Sequence, residues 1–90
     1  MTEARDTRLK RLAMRSMRRG IKEMDILLTR FAEQHLAAMP AEELDLYDRL
    51  LEENDQDLYA WITGQQPAPA EFSGLIARIA APSEATRAAS

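Results

Sequence analysis

Five short segments of this chain carry apolar residues at helical spacing, and glycine or proline stands at several of the breaks between them. Helices this short are marginal in isolation and their connections are brief, so they must pack closely on one another. Valine is absent while Ala, Leu, Glu, Arg and Met are plentiful, which favours helix over strand. The sequence therefore predicts an all-α fold, a compact bundle of about five short helices in one domain, residues 1–80, with a disordered tail over 81–90.

The helix boundaries are predicted from glycine, proline and capping residues. The first helix spans about 7–18, and Gly20 ends it because a positive φ costs glycine little. The second helix spans about 21–38, and Pro40 suits the first turn of the third.

Two adjacent polar residues mark the next boundary. Asn54 is predicted to stop the third helix and Asp55 to be the N-cap of the fourth, which Gly64 closes. A fifth helix follows over about 72–79.

The apolar faces of these helices define the predicted core. Its members are Leu12, Met24, Leu27, Leu28, Phe31, Leu44, Tyr47, Leu51, Leu58, Trp61, Ile62, Leu75 and Ile79. A chain of 90 residues buries only about two-thirds of its surface on folding. That leaves no room for a deep catalytic cavity, so we expect the function to lie on the outside.

Several classes of function lack the residues they need. With no cysteine there are no disulfides and no thiolate nucleophile or metal ligand, and His35 is the one imidazole, outside any HExxH pattern. The acidic stretch 52–57 lacks the sixth-position Gly and twelfth-position Glu of a calcium loop. No apolar run is long enough to cross a bilayer. We therefore expect neither an enzyme in its own right nor membrane insertion.

The charge is unevenly distributed along the chain. Residues 1–22 hold eight Lys or Arg against two acids, whereas residues 23–60 hold two Arg against eleven acids. A basic arm of this kind suits nucleic acid, an anionic membrane or an acidic partner. Nucleic acid is the weaker choice, because the arm contains no Asn, Gln or aromatic residue to read or stack on bases.

The densest charge lies at the junction of the first two helices, Arg18-Arg19-Gly20-Ile21-Lys22-Glu23-Met24-Asp25. One interpretation is local: arginine complements one helix dipole, acids complement the next, and glycine separates them. The other is a docking surface, in which a guanidinium offers paired hydrogen bonds, glycine permits close approach and a carboxylate fixes the register. The residues alone leave both open.

The run Arg19-Gly20-Ile21-Lys22-Glu23 resembles the RGxxE motif of the SdhE-type FAD assembly factors. The resemblance extends from about 11 to 79. It includes Glu23-Met24-Asp25-Ile26-Leu27-Leu28, Phe31-Ala32, Leu44-Asp45-Leu46-Tyr47-Asp48-Arg49-Leu50-Leu51, Asp57-Leu58-Tyr59-Ala60-Trp61 and Gln66-Pro67-Ala68-Pro69. It departs in the acidic turn before the fourth helix, Glu52-Glu53-Asn54-Asp55-Gln56-Asp57, where many relatives have a proline, and in the C-terminal tail.

The resemblance implies a monomeric, non-catalytic chaperone of five helices. Such a protein binds the flavoprotein subunit of succinate dehydrogenase and promotes covalent attachment of FAD. Whether it also serves the flavoprotein subunit of fumarate reductase is left open by the sequence. The bond joins the 8α-methyl of FAD to a histidine of the flavoprotein, and the chaperone contributes by holding the domains in position. The implied partner-binding residues are Arg11, Arg18, Arg19, Gly20, Glu23 and Asp25. Arg19 and Gly20 should be the most sensitive, because a side chain at Gly20 would hold the partner away.

The same resemblance implies that this chain binds no cofactor stably and that FAD is handled on the partner. The alternative is that the arginines bind FAD directly and weakly. An enzyme would require this, because FAD is the only candidate that could supply its chemistry. The other alternative function is a basic-armed helical protein that binds nucleic acid or a different protein. The short N-terminus suggests a bacterial cytoplasm, and a eukaryotic source would imply the mitochondrial matrix.

Overall fold

Five α-helices account for most of residues 4–81, the part of the chain that the computed structural model describes. They are α1 (Arg5–Arg15), α2 (Lys22–His35), α3 (Ala41–Leu50), α4 (Asp55–Ile62) and α5 (Ala70–Ala80), and a 3-10 turn (Leu36–Ala38) extends α2. Within that range there is no strand, which confirms the all-α prediction. The predicted tail lies, beyond Ala81, outside the described residues.

The ends of the first two helices differ from the prediction. α1 begins and ends earlier than the predicted 7–18. At its end, the hydroxyl of Ser16 donates a hydrogen bond back to the carbonyl of Leu12, at 2.8 Å. α2 stops at His35, short of the predicted 38, because the chain tightens there into the 3-10 turn.

The boundary between α3 and α4 lies one residue away from its predicted position. Asn54 is the N-cap of α4, since its side-chain oxygen accepts a hydrogen bond from the backbone N–H of Gln56 at 2.7 Å. Asp55 is the first residue inside the helix, so its carboxylate is not used as the cap. Pro40 likewise precedes α3 as its N-cap and does not enter the first turn. Gly64 follows α4 with φ of +81°, as expected of a closing glycine.

The core lies around α2, which packs against α1, α4 and α5, while α3 packs against α5. Most of the predicted core is buried, but Leu27, Trp61 and Ile62 are only partly buried and pack at its edge. Among the described residues, six further apolar ones are buried: Ala32, Leu36, Met39, Leu50, Phe72 and Ile76. The difference follows from the small size of the bundle, in which α4 covers the core with one face only.

An aromatic cluster anchors the centre. The ring of Phe31 lies 5.4 Å from that of Tyr47 and 4.8 Å from that of His35, measured between centroids. His35 is therefore a partly buried residue on the face of α2, packed against Phe31. None of the helices in residues 4–81 has the length and apolar character that a membrane-spanning segment needs.

Candidate docking surface at the α1–α2 turn

The turn between α1 and α2 begins at a buried hydroxyl. Ser16, the C-cap of α1, is fully buried, and its Oγ lies 2.5 Å from the hydroxyl oxygen of Tyr47 on α3. Burial raises the pKa of Tyr47 to about 12, so the phenol stays protonated and remains available as a donor. This hydrogen bond fixes the end of α1 against α3.

The chain then reverses at Arg18, where φ is +55°. The sequence predicted that Gly20 would take the positive φ, and this prediction is wrong. The reversal occurs two residues earlier because Asp25 accepts a hydrogen bond from the backbone N–H of Arg18, at 3.0 Å. Thr29 donates to the other oxygen of Asp25 at 3.2 Å and orients it. Asp25 therefore shapes the turn through hydrogen bonds within the chain.

Arg19 points into the protein, where three helix ends meet. Its Nε donates to Asp55 Oδ1 at 2.7 Å. Its two terminal nitrogens donate to backbone carbonyls at the end of α1 and just after α3, those of Arg15, Leu51 and Glu53, at 3.2 to 3.4 Å. Only 13% of the side chain is exposed. The docking interpretation leaves the donors of Arg19 to a partner, whereas in the structure free carbonyls at helix ends accept hydrogen bonds from them.

Asp55 completes this arrangement. Its second oxygen, Oδ2, accepts a hydrogen bond from the backbone N–H of Gly20 at 2.7 Å. The carboxylate stands at the first residue of α4, where the helix dipole favours a negative charge. The sequence does not single out Asp55 as a site residue. Its only signal there is the acidic run 52–57, which helix capping already explains.

The outer side of the turn carries unpartnered groups. Arg18, Lys22 and Glu23 are exposed, and among residues 4–81 their charged side-chain groups make no hydrogen bond or ion pair. The apolar side chains of Met17 and Ile26 are 43% and 54% exposed beside them in sequence. Ile26 lies one helical turn after Glu23 and Lys22 on α2. We call these five residues the turn surface.

Arg11 lies elsewhere, in a set of ion pairs between α1 and α3. It donates through two nitrogens to the two oxygens of Asp48, at 3.2 and 3.0 Å, and Arg15 contacts the same carboxylate. Arg8 pairs with Asp45. The hydrogen bond from Arg11, with the charges of the neighbouring arginines, holds the pKa of Asp48 below its usual range. The acids of α3 therefore neutralise much of the basic arm, which weakens the nucleic-acid interpretation.

The structure thus divides the six residues singled out in the sequence. Arg18 and Glu23 face outward on the turn surface, and Gly20 is exposed beside them. Arg19, Asp25 and Arg11 form hydrogen bonds within the chain. Among residues 4–81 no group of three His, Cys, Asp or Glu side chains is placed to hold a metal ion.

The chain is similar to a family of known proteins over most of its length. Residues 10–82 match the sequence profile of a family described as the flavinator of succinate dehydrogenase. The chain belongs to this family. A relative from Danio rerio, named succinate dehydrogenase assembly factor 2, mitochondrial, is 46% identical over 74 residues, which cover 80% of this chain and 47% of that protein.

Two fungal proteins carry the same name. The one from Mycosarcoma maydis is 43% identical over 72 residues, 80% of this chain and 30% of that protein. The one from Aspergillus terreus is 52% identical over 61 residues, 68% of this chain and 20% of that protein. The chain spans less than half the length of each of these relatives. The match to the flavinator family includes the α1–α2 turn and the residues that hold it.

Proposed function

We propose that this chain is an assembly factor that binds the flavoprotein subunit of succinate dehydrogenase and promotes covalent attachment of FAD. Its part is to hold the subunit in the geometry in which the flavin methyl and the receiving histidine meet. The reacting groups belong to the partner, so the chain acts without catalysis and without a stably bound cofactor. The flavoprotein subunit of fumarate reductase is a second proposed client.

One observation carries this proposal: the family match covers residues 10–82, and within it the turn surface presents charged groups that the described chain leaves unpartnered. Arginine and methionine are enriched in protein–protein interfaces, and charges around an interface steer the partner and fix its register. Arg18 and Lys22 suit acidic groups on the partner, Glu23 suits a basic one, and Met17 and Ile26 supply apolar contact.

The proposed function also implies an oligomeric state and a cellular compartment for the protein. We propose that it acts as a monomer, because the turn surface is to be covered by the client and not by a second copy. It should be found where the flavoprotein subunit acquires its flavin. That compartment is the bacterial cytoplasm or, in a eukaryote, the mitochondrial matrix, in keeping with relatives that are named mitochondrial.

The test is the amount of covalent flavin in the succinate dehydrogenase flavoprotein subunit, read as fluorescence in a denaturing gel. The subunit is incubated with FAD and with no added chain, the wild-type chain or Glu23→Ala. The wild type should raise the fluorescence, and Glu23→Ala should require about tenfold more chain for the same yield, as expected for loss of one central charged contact.

Glu42→Ala is the matched control. Glu42, like Glu23, is an exposed glutamate at the second position of a helix, with no partner among the described residues, but it lies on α3. It should behave as the wild type does. A wild-type chain that leaves the fluorescence of a competent flavoprotein unchanged would refute the assembly role, and equal losses in both variants would refute the turn surface.

A further inference from the structure

The donors of Arg19 are almost all used within the chain. A guanidinium has five N–H groups. Four hydrogen bonds leave Arg19, to one carboxylate and three backbone carbonyls, and its NH2 nitrogen lies 2.7 Å from Asp55 Oδ1 as well. A partner carboxylate needs two parallel N–H groups for the strong paired contact. Arg19 therefore has no free edge to offer one.

Asp55 divides its two oxygens between adjacent residues of the turn. Oδ1 holds the Arg19 guanidinium, and Oδ2 holds the backbone N–H of Gly20. Both bonds involve a charged group and both are 2.7 Å long, which makes them stronger than ordinary hydrogen bonds. Only 17% of the Asp55 side chain is exposed, so little water competes for it.

We propose that Asp55 is a positioning residue for docking: with Arg19 it forms a clamp that fixes the turn from Arg18 to Glu23 in the shape in which the turn surface meets the flavoprotein subunit. This inference rests on the proposed function. It assigns Arg19 a role within the chain, and leaves direct contact with the partner to exposed groups such as Arg18 and Glu23.

The clamp also explains why residue 20 is glycine. The φ angle of Gly20 is not positive, so the backbone itself does not demand glycine there. A Cβ at this position would lie 3.3 Å from Asp55 Oδ2, the oxygen that holds the Gly20 N–H. Any larger side chain would therefore press on the clamp before it reached a partner.

The experiment measures the chain concentration that gives half-maximal covalent flavin in the flavoprotein subunit. Wild type, Arg19→Ala, Asp55→Ala and the double variant form a double-mutant cycle. Each single variant should raise this concentration by about tenfold, and the double variant should raise it no further than the larger single effect, because both remove the same clamp.

Two controls separate positioning from general destabilisation. Asp57→Asn removes an exposed carboxylate from the same first turn of α4 and should leave the half-maximal concentration unchanged. Ile79→Ala removes a buried side chain of α5, far along the chain from the turn. At a temperature where it and the clamp variants are all folded by circular dichroism, it should dock as the wild type does despite its lower Tm.

Three results would overturn the inference. In the first, Asp55→Ala keeps the wild-type half-maximal concentration while Arg19→Ala does not, so that Arg19 contacts the partner directly. In the second, the two single effects multiply in the double variant, which would make the residues independent. In the third, Asp55→Ala lowers flavinylation no more than Ile79→Ala does at matched Tm, so that the clamp is only a stabilising contact.

Hydrogen exchange at the Gly20 amide tests the clamp without the client. Exchange should be about tenfold faster in Asp55→Ala than in wild type or Asp57→Asn, because the carboxylate no longer holds the amide. If the wild-type chain does not promote flavinylation, both the proposed function and the docking role of Asp55 are refuted. If the wild-type chain promotes flavinylation but amide exchange at Gly20 is unchanged in Asp55→Ala, only the clamp is refuted.

Discussion

The arginines of the N-terminal region do two different kinds of work. Along α1, Arg8, Arg11 and Arg15 pair with carboxylates of α3, side chain to side chain, and these pairs are more open to water than the Arg19–Asp55 pair. At the turn, Arg19 is largely buried, and three of its four hydrogen bonds go to backbone carbonyls. One residue type thus neutralises a surface in the first region and determines the path of the backbone in the second.

The different burial of the two sets of arginines predicts how each region responds to substitution. Exposed ion pairs contribute little individually, are screened by salt and can be replaced by neighbours. A buried charge that loses its partner leaves an unpaired group behind, which costs several times more. Damage at the α1–α3 ion pairs should therefore be mild and confined to stability, whereas damage at the turn should affect both stability and docking.

The largest effect is expected from Gly20→Arg. The new Cβ would lie 3.3 Å from Asp55 Oδ2, so that oxygen must shift by a few tenths of an ångström, and the added guanidinium competes with Arg19 for the same carboxylate. We expect the free energy of unfolding to fall by about 3 kcal/mol and the stimulation of flavinylation to be lost. Urea unfolding followed by circular dichroism, with the flavin gel, measures both.

Gly74→Arg is the control for that substitution. A Cβ at Gly74 meets nothing within 4 Å, and the residue lies in the exposed middle of α5. Its free energy of unfolding should stay within about 1 kcal/mol of wild type, and flavinylation should be unchanged. If Gly20→Arg proved as stable as Gly74→Arg, the backbone of the turn would be far more tolerant than its contacts indicate.

The sequence predicted the helices well and the turn poorly, for a physical reason. Helical spacing of apolar residues reports which face of a segment is buried, so the five helices followed from the pattern. The Arg19–Asp55 contact joins residues 36 positions apart and exists only because the ends of α1, α3 and α4 meet. The predicted N-cap of α4 is one residue too late, at Asp55 and not at Asn54. Capping then accounts for the Asp55 carboxylate, and its contact with Arg19 goes unpredicted.

A smaller effect is expected beneath the turn, from Tyr47→Phe. It removes the hydroxyl that bonds to Ser16, but the Ser16 hydroxyl keeps its bond to the Leu12 carbonyl, so no donor is stranded. The free energy of unfolding should fall by about 1 kcal/mol. Docking should be retained, because the clamp is untouched. A loss of flavinylation as large as that of Asp55→Ala would show that Ser16, and not the clamp, governs the turn.

The salt dependence of stability should differ between the α1–α3 ion pairs and the turn, and one Asp→Asn substitution in each region tests this. Asp48→Asn should lower the free energy of unfolding by about 1 kcal/mol at low salt, and by less in 1 M NaCl, where charges are screened over about 3 Å. Asp55→Asn should lower it by more, and the loss should change little with salt because the site is mostly shielded from water. Urea unfolding at both salt concentrations measures this. Equal salt dependence in the two variants would contradict the distinction.

The smallest expected effect on stability is that of acid pH, and it is specific to the α1–α3 ion pairs. Because the pKa of Asp48 is lowered in the folded chain, chiefly by the Arg11 hydrogen bond, the unfolded chain binds the proton first as the pH falls. The stability that this lowered pKa represents is fully present above the unfolded value of about 4 and is lost as the pH falls through the folded value. The Tm difference between wild type and Asp48→Asn should therefore shrink from about pH 5 downward. Thermal unfolding over that range measures it, with Asp57→Asn as the control. A difference that stayed constant into acid would mean that Asp48 supports α1 through packing and not through its charge.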